Sequence, residues 1–508
     1  MSSDSASDKA VHADEKGVHP AAAGKVNDAS DVIVLSHATF ASAAPRRRGP
    51  LGIYDHTACQ VALLGLVCFL GPGMFNALSG IGGGGQVDRT PSINSSIALY
   101  SVFAVMAFFS GSIHNTIGSK PTLFIGTLGY SLYIGSLLSY NFNQNGGFVI
   151  GAGAVLGACA GLLWCSQGAL MLSYPAEREK GRYISIFWVI FNLGAVLGAA
   201  IAMGLSWHST SNTVSNGTYI AFLVLTALGA FVSLTLKSPG KVRRTDGVPV
   251  VVPKQMGWTD EFRGLIRVLH TDPWIVLLFP LFLASNWFYT WQFNIYNGLL
   301  FTLRTRALNS FIYWLSQMVG SFCIGLLLDS PRLARRTRAW IGWGVAICIV
   351  FAVWGGSYHV QLGYTRADKP SEGLGSEYYR TDVHSPEYGG LAVLYACMGL
   401  LDSITQCFTY WLFGAMSNDL AKLAHFAGFY KSVQSAGSVG AFALDKDGAS
   451  FMAELGVGWG LNAAGLIIAL PVLAFRVTET TDALQEKTVE GREQDIKQIV
   501  DKVVHENN

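Results

Sequence analysis

Apolar residues along this chain gather in blocks of about 20, the length an α-helix needs to cross a roughly 30 Å hydrocarbon layer. The blocks fall near 58–80, 94–115, 121–140, 147–174, 184–206 and 218–236, and, after a polar stretch, near 274–298, 308–330, 338–356, 389–416, 424–444 and 452–475. This pattern predicts an all-α membrane protein of twelve transmembrane helices in two six-helix halves. It divides the chain into a disordered tail over 1–56, a first bundle over 57–236, a central loop over 237–273, a second bundle over 274–476 and a tail over 477–508. In the central loop Thr259 is placed to cap a short helix with Asp260 and Glu261 in its first turn. Phe262, Leu265, Ile266 and Leu269 then share one face, with Arg263 and Arg267 on the other. Two readings stand: an amphipathic helix on the membrane surface, or a linker helix without membrane contact. The final tail carries a weaker stripe of Ile496, Ile499, Val500 and Val503.

Composition strengthens the membrane reading. Of 508 residues only 13% are charged, against roughly 25% in an ordinary soluble domain, so the lipid bilayer is an expected partner and nucleic acid is not. The eight cysteines all lie in apolar blocks and make neither a disulfide framework nor a zinc site. The first 50 residues hold no apolar core of a signal peptide. Basic residues are unevenly placed. Arg46, Arg47, Arg48, Lys120, Arg178, Lys180, Arg182, seven more in the central loop (Lys237, Lys241, Arg243, Arg244, Lys254, Arg263, Arg267), and Arg332, Arg335, Arg336 and Arg338 fall at one face. Arg89, Arg304, Arg306, Arg366, Lys369, Arg380 and Lys446 fall at the other. The asymmetry predicts both termini in the cytosol, without distinguishing the plasma membrane from an internal one. Two glycosylation sequons, at Asn94 and Asn216, then fall at external helix ends.

The halves look related. After span two the chain reads Gly111-Ser-Ile-His-Asn115-Thr-Ile-Gly118-Ser-Lys120, and after span eight Gly325-Leu-Leu-Leu-Asp329-Ser-Pro-Arg332. Each is Gly-x-x-x-Asn/Asp at a helix end followed by basic residues, and Gln167 in span four is matched by Gln406 in span ten, as a duplicated six-helix unit requires. Here the sequence resembles the major facilitator superfamily, whose signature between spans two and three is Gly-x-x-x-Asp-x-x-Gly-Arg-Lys/Arg. Gly111, Gly118 and Lys120 match it, whereas Asn115 replaces the acid and Ser119 the first Arg. The resemblance implies that the acid docks on a neighbouring helix and steadies one conformation, so a neutral Asn115 removes an ionic latch from this copy. The second copy keeps Asp329. Gly65 to Gly85, Trp164-Cys-Ser-Gln167-Gly168, Phe187-Trp188-Val-Ile-Phe-Asn192, Tyr410-Trp411-Leu-Phe-Gly414 with Ser417-Asn418-Asp419, and Gly428-Phe-Tyr-Lys431-Ser-Val-Gln434-Ser-Ala-Gly437 further resemble the fungal Unc-93-like branch, also called ion-channel regulatory protein homologues. That resemblance spans about 52–476 and implies the transporter fold with an undefined substrate; some animal relatives regulate or escort other membrane proteins.

Candidate chemistry is sparse. Gly80-Ile-Gly82-Gly-Gly-Gly85 has the spacing of a dinucleotide loop but no preceding strand, and reads as helix termination. No metal-binding, phosphate-loop or nucleophile-elbow signature is present, so the chain reads as no enzyme, with no cofactor. Gly71-Pro72-Gly73 interrupts span one, either as a binding-site wall or as a structural kink. Gly153, Gly157 and Gly161 in span four and Gly194 and Gly198 in span five predict close helix packing. The run Trp287 to Phe293 is open between an aromatic belt at the membrane interface and a substrate-facing surface. Only Asp402 and Lys431 place charge deep inside spans. Asp402 faces a cavity or is a buried structural acid; Lys431 pairs with it or snorkels to the interface. With Asn76, Gln167, Asn192, Asn286, Gln406 and Gln434 they are the candidate binding residues, in a cavity expected between spans one, four, five, seven, ten and eleven. Two functions follow: a secondary transporter of a small polar solute or ion, with Asp402 as proton or cation carrier, or a non-transporting regulator or trafficking partner of another membrane protein.

Overall fold

The structure is a computed structural model that describes residues 50–81, 89–206, 214–245, 250, 258–368 and 381–481. The N-terminal tail, the Gly82 to Gly85 run, part of the external 357–388 loop and the Ile496 to Val503 stripe lie outside these residues. All twelve predicted positions are helical. Among the described residues nine helices are long and apolar enough to span a membrane, and a tenth span is the pair Thr57–Leu70 and Pro72–Ile81, bent by 42° at Gly71. The other two are the polar ones. Span seven is broken into Trp274–Leu277, Phe279–Ala284 and a wide-turned segment Thr290–Asn297. Span eleven, Leu420–Lys446, is continuous but carries Lys422, His425, Lys431 and Gln434. Only span one showed a break in the sequence; that of span seven appears at Ser285 to Tyr289, just after Pro280.

Helices run past the apolar blocks because hydropathy marks only the part in hydrocarbon. Span two is Arg89–Ile117, span eight Leu303–Leu328 and span nine Arg335–Gln361. Outward faces show the membrane directly: Ile125, Leu128 and Leu132 in span three, Val224, Leu228 and Phe231 in span six, and Val319, Phe322 and Leu326 in span eight are exposed at helical spacing. In water such a surface would aggregate; in lipid it is the solvated face.

Small residues set the packing. A Cβ on Gly157 would strike the Leu99 carbonyl of span two, and one on Gly399 of span ten would strike the Tyr313 carbonyl of span eight. The two halves thus repeat one contact. Gly71 and Gly73 sit against Thr127 and Gly194, so the kink of span one is enclosed by protein. The central-loop helix begins at Trp258, one residue before the predicted cap, and lies against spans two and eleven. Val268 is buried and Ile266 exposed; the side chains of Phe262 and Leu265 are outside the described residues.

Candidate functional site

A cavity of about 60 Å³ lies at the centre, between the halves. Its two walls differ in chemistry. The first half supplies Phe75, Tyr100, Phe103, Tyr130, Trp164 and Phe191 among others, a largely aromatic surface; the second supplies Asn286, Tyr289, Trp314, Gln317, Gln406, Lys431 and Gln434. Spans two, three and eight therefore contribute as well as those expected from sequence. Asn76 and Phe75 reach the cavity just after the break in span one, and Asn286 and Tyr289 do so at the break in span seven. A broken helix turns side chains that a straight one would leave facing its neighbours.

The polar wall is one connected network. Lys431 Nζ donates to Gln434 Oε1 at 2.8 Å, Gln434 Nε2 donates to Gln406 Oε1 at 3.4 Å and to Asn286 Oδ1 at 3.0 Å, and Gln406 Nε2 donates to Asp402 Oδ1 at 2.6 Å. The other Asp402 oxygen accepts from Tyr289 and Tyr313 at 3.0 Å each and from Gln317 at 2.8 Å. Asp402 is fully buried one layer behind the lining rather than on it, so of its two readings the structure favours the buried, hydrogen-bonded acid. Lys431 neither pairs directly with it nor snorkels. Its ammonium lies 4.8 Å from the ring centres of Trp164 and Tyr430 and 5.6 Å from that of Tyr410, a cage that stabilises a cation away from water.

Not every candidate joins this set. Gln167 donates to Met171 Sδ and Asn192 to the Trp188 carbonyl, each along its own helix, and neither lines the cavity. The aromatic run of span seven is no interface belt: Trp291 is buried and donates to Gln361 at 2.8 Å, and Tyr289 stacks on Phe293. Gln317 and Trp314 were missed, although Gln317 met the rule that selected Gln406, a lone amide in mid-span.

The repeated motif lies where the halves meet, at the end holding most basic residues. Gly111 faces span eleven, where a Cβ would come within 3.0 Å of the Ala424 carbonyl; Gly325 faces Ser185 and the Gly181 carbonyl of span five. Asp329 accepts from the backbone N–H of Gly181 at 2.9 Å and of Arg182, the open N-terminus of span five, Lys180–Ser206. Asn115 is half-buried, Gly118 starts span three at φ 86°, and Lys120 donates to the Leu234 carbonyl within its own half. Arg332 is exposed; at this end the Arg335 guanidinium crosses between the halves, paired with Glu177. Asn94 is half-buried inside span two, whereas Asn216 is exposed and accepts from Asn141 at 2.7 Å.

Two further contacts join the halves, one at each end of the bundle, and no motif announced them. At the basic end Lys180 Nζ donates to the carbonyls of Gly414 and Ser417 at 2.9 Å each, at the C-terminus of span ten. At the opposite end Arg306 Nε donates at 2.9 Å to the Ile81 carbonyl, at the C-terminus of span one, and Asn297 donates to Gly80 at 2.9 Å. Each is a cation of one half set on the negative end of a helix of the other.

The chain matches the family model described as Major Facilitator Superfamily over residues 61–443. It is 45% identical to an UNC93-like protein of Schizosaccharomyces pombe over 85% of each chain. It is 40% identical to UNC93-like protein 1 of Arabidopsis thaliana, over 84% of this chain and 92% of that one. Its fold is similar to that of the proton:xylose symporter XylE, with TM-score 0.57 at 13% identity, over 83% of this chain and 96% of that one.

Proposed function

The chain belongs to the UNC93-like proteins of the major facilitator superfamily, and from that premise we propose that it is a secondary transporter of a small solute, working by alternating access. The observation that carries this reading is the central cavity with a charge-to-helix-end contact between the halves at each end, both formed here. Breaking one lock while keeping the other opens the cavity to one side only, and exchanging them moves a bound solute across. The basic end is taken as cytosolic, after the Lys and Arg asymmetry. Asp402 is the candidate coupling group. Its four donors reach it from spans seven, eight and ten, so a change in its protonation alters contacts among those helices.

The test is uptake by the purified protein in liposomes over a metabolite panel, with and without a pH gradient. Uptake is expected for at least one solute, and Asp402→Asn is expected to abolish its gradient-driven part. The substituted amide sets an N–H group against existing donors, at a cost of about 1–3 kcal/mol, so thermal melting is measured alongside to separate lost coupling from lost fold. If nothing moves and the protein co-purifies in fixed ratio with another membrane protein, the regulator reading replaces transport.

A further inference from the structure

The cavity's unspent hydrogen-bonding capacity names a ligand class, resting on the transporter reading just given. On the polar wall every amide oxygen of the second half already accepts at least one hydrogen bond. Gln434 Oε1 is taken by Lys431, Gln406 Oε1 and Asn286 Oδ1 by Gln434, and Gln317 Oε1 by Trp188 Nε1 at 3.2 Å. Donors are left over. The Lys431 ammonium carries three N–H groups and gives one to Gln434. The Asn286 amide nitrogen makes no hydrogen bond among the described residues. The two unspent N–H groups of the Lys431 ammonium call for acceptors, since a buried donor is rarely left unpaired.

Charge points the same way. Lys431 is the one charged side chain on the described lining. Asp402 does not cancel it for an incoming solute, because both carboxylate oxygens lie behind the wall and are filled by four donors. The first half's aromatic wall of Phe75, Phe103, Tyr130 and Phe191 is matched to a flat apolar body.

We infer that the cavity binds an organic monoanion, a carboxylate-bearing solute with a ring-like apolar body, its carboxylate on Lys431 and its body against the aromatic wall. The test is calorimetric titration of the purified full chain with four probes: phenylacetate, its neutral amide phenylacetamide, the cation phenethylamine, and acetate, which lacks the ring. Phenylacetate is expected to bind at least about tenfold more tightly than each of the others. Lys431→Met is expected to remove that preference and Lys431→Arg to retain most of it. Equal or tighter binding of the amide or the amine overturns the assignment, as does binding of none of the four, or unchanged phenylacetate binding by a folded Lys431→Met protein. If that variant does not fold, the wild-type ranking decides. Failures are separable: phenylacetate that binds but never enters liposomes removes transport and keeps the ligand class, whereas uptake of a cation alone removes the class and keeps transport.

Discussion

Among single side chains Asp329, just beyond span eight, couples most directly to pH. Burial pushes its carboxyl up to about 6 from an ordinary 3.8, against the pull of the Arg182 and Gly181 backbone N–H groups and of nearby Arg338. A group whose pKa is higher docked than free holds its proton more tightly when docked, so acid favours the docked state. The contribution is greatest below the ordinary value of 3.8 and is lost as pH rises through about 6. Glu177 has the opposite sign: burial raises its carboxyl, but Arg335 and Thr481 outweigh this and hold it below 4.5. Its ion pair therefore weakens only in stronger acid. Spin labels at the exposed positions Arg178 and Arg332 report this end of the molecule. Their close-approach population is expected to grow from about pH 7 to about pH 5 and to become flat in Asp329→Asn; the same slope in that variant assigns the effect elsewhere. Asp329 stood out in the sequence as the acid of a repeated motif. Its partner did not, because backbone N–H groups at a helix start have no residue-type signature.

Within the helices, packing turns on which glycines face a neighbour. Gly157 meets the Leu99 carbonyl, whereas a Cβ on Gly344 of span nine finds nothing within 4 Å. Valine carries the same β-branched cost in either helix, so the difference between Gly157→Val and Gly344→Val isolates packing. The first is expected to destabilise by about 1–3 kcal/mol and the second to stay within about 0.5 kcal/mol, read as thermal melting in detergent. Equal shifts contradict the tight contact between spans two and four. Spacing alone made Gly153, Gly157 and Gly161 legible as an interface, but not which helix it joins.

Taken whole, the halves are joined by Lys180 at one end and Arg306 at the other. A cation at a helix end contributes up to about 2 kcal/mol when partly buried, enough to decide which end opens. A cysteine at Gln317, in an otherwise cysteine-free chain, reads access to the cavity. In intact cells its labelling by an impermeant reagent is expected to rise by up to about thirtyfold with Arg306→Ala and to fall or stay level with Lys180→Ala. Shifts in the same direction reject the paired locks. A cysteine at Arg244 stays unlabelled if the basic end is cytosolic, and labelling there reverses the orientation.

Hydrophobic blocks, their length and their repeat were enough to determine the fold class and the twelve helical positions, because the cost of polar groups in hydrocarbon acts on each segment by itself, while the family was legible only in the resemblance of particular motifs. Asp402 and Lys431 stood out for the same reason. Their neighbours required the tertiary structure. Gln167 and Asn192 are buried amides like Gln406, yet rotation of their helices turns them away from the cavity, while Gln317 and Trp314 are turned into it. Lys180 and Arg306 are two of 35 basic residues in the sequence; only packing of the halves sets each on a helix end distant in the chain. Hydropathy is a property of one segment, whereas a site or a lock is a relation among several, fixed by how helices rotate, bend and meet.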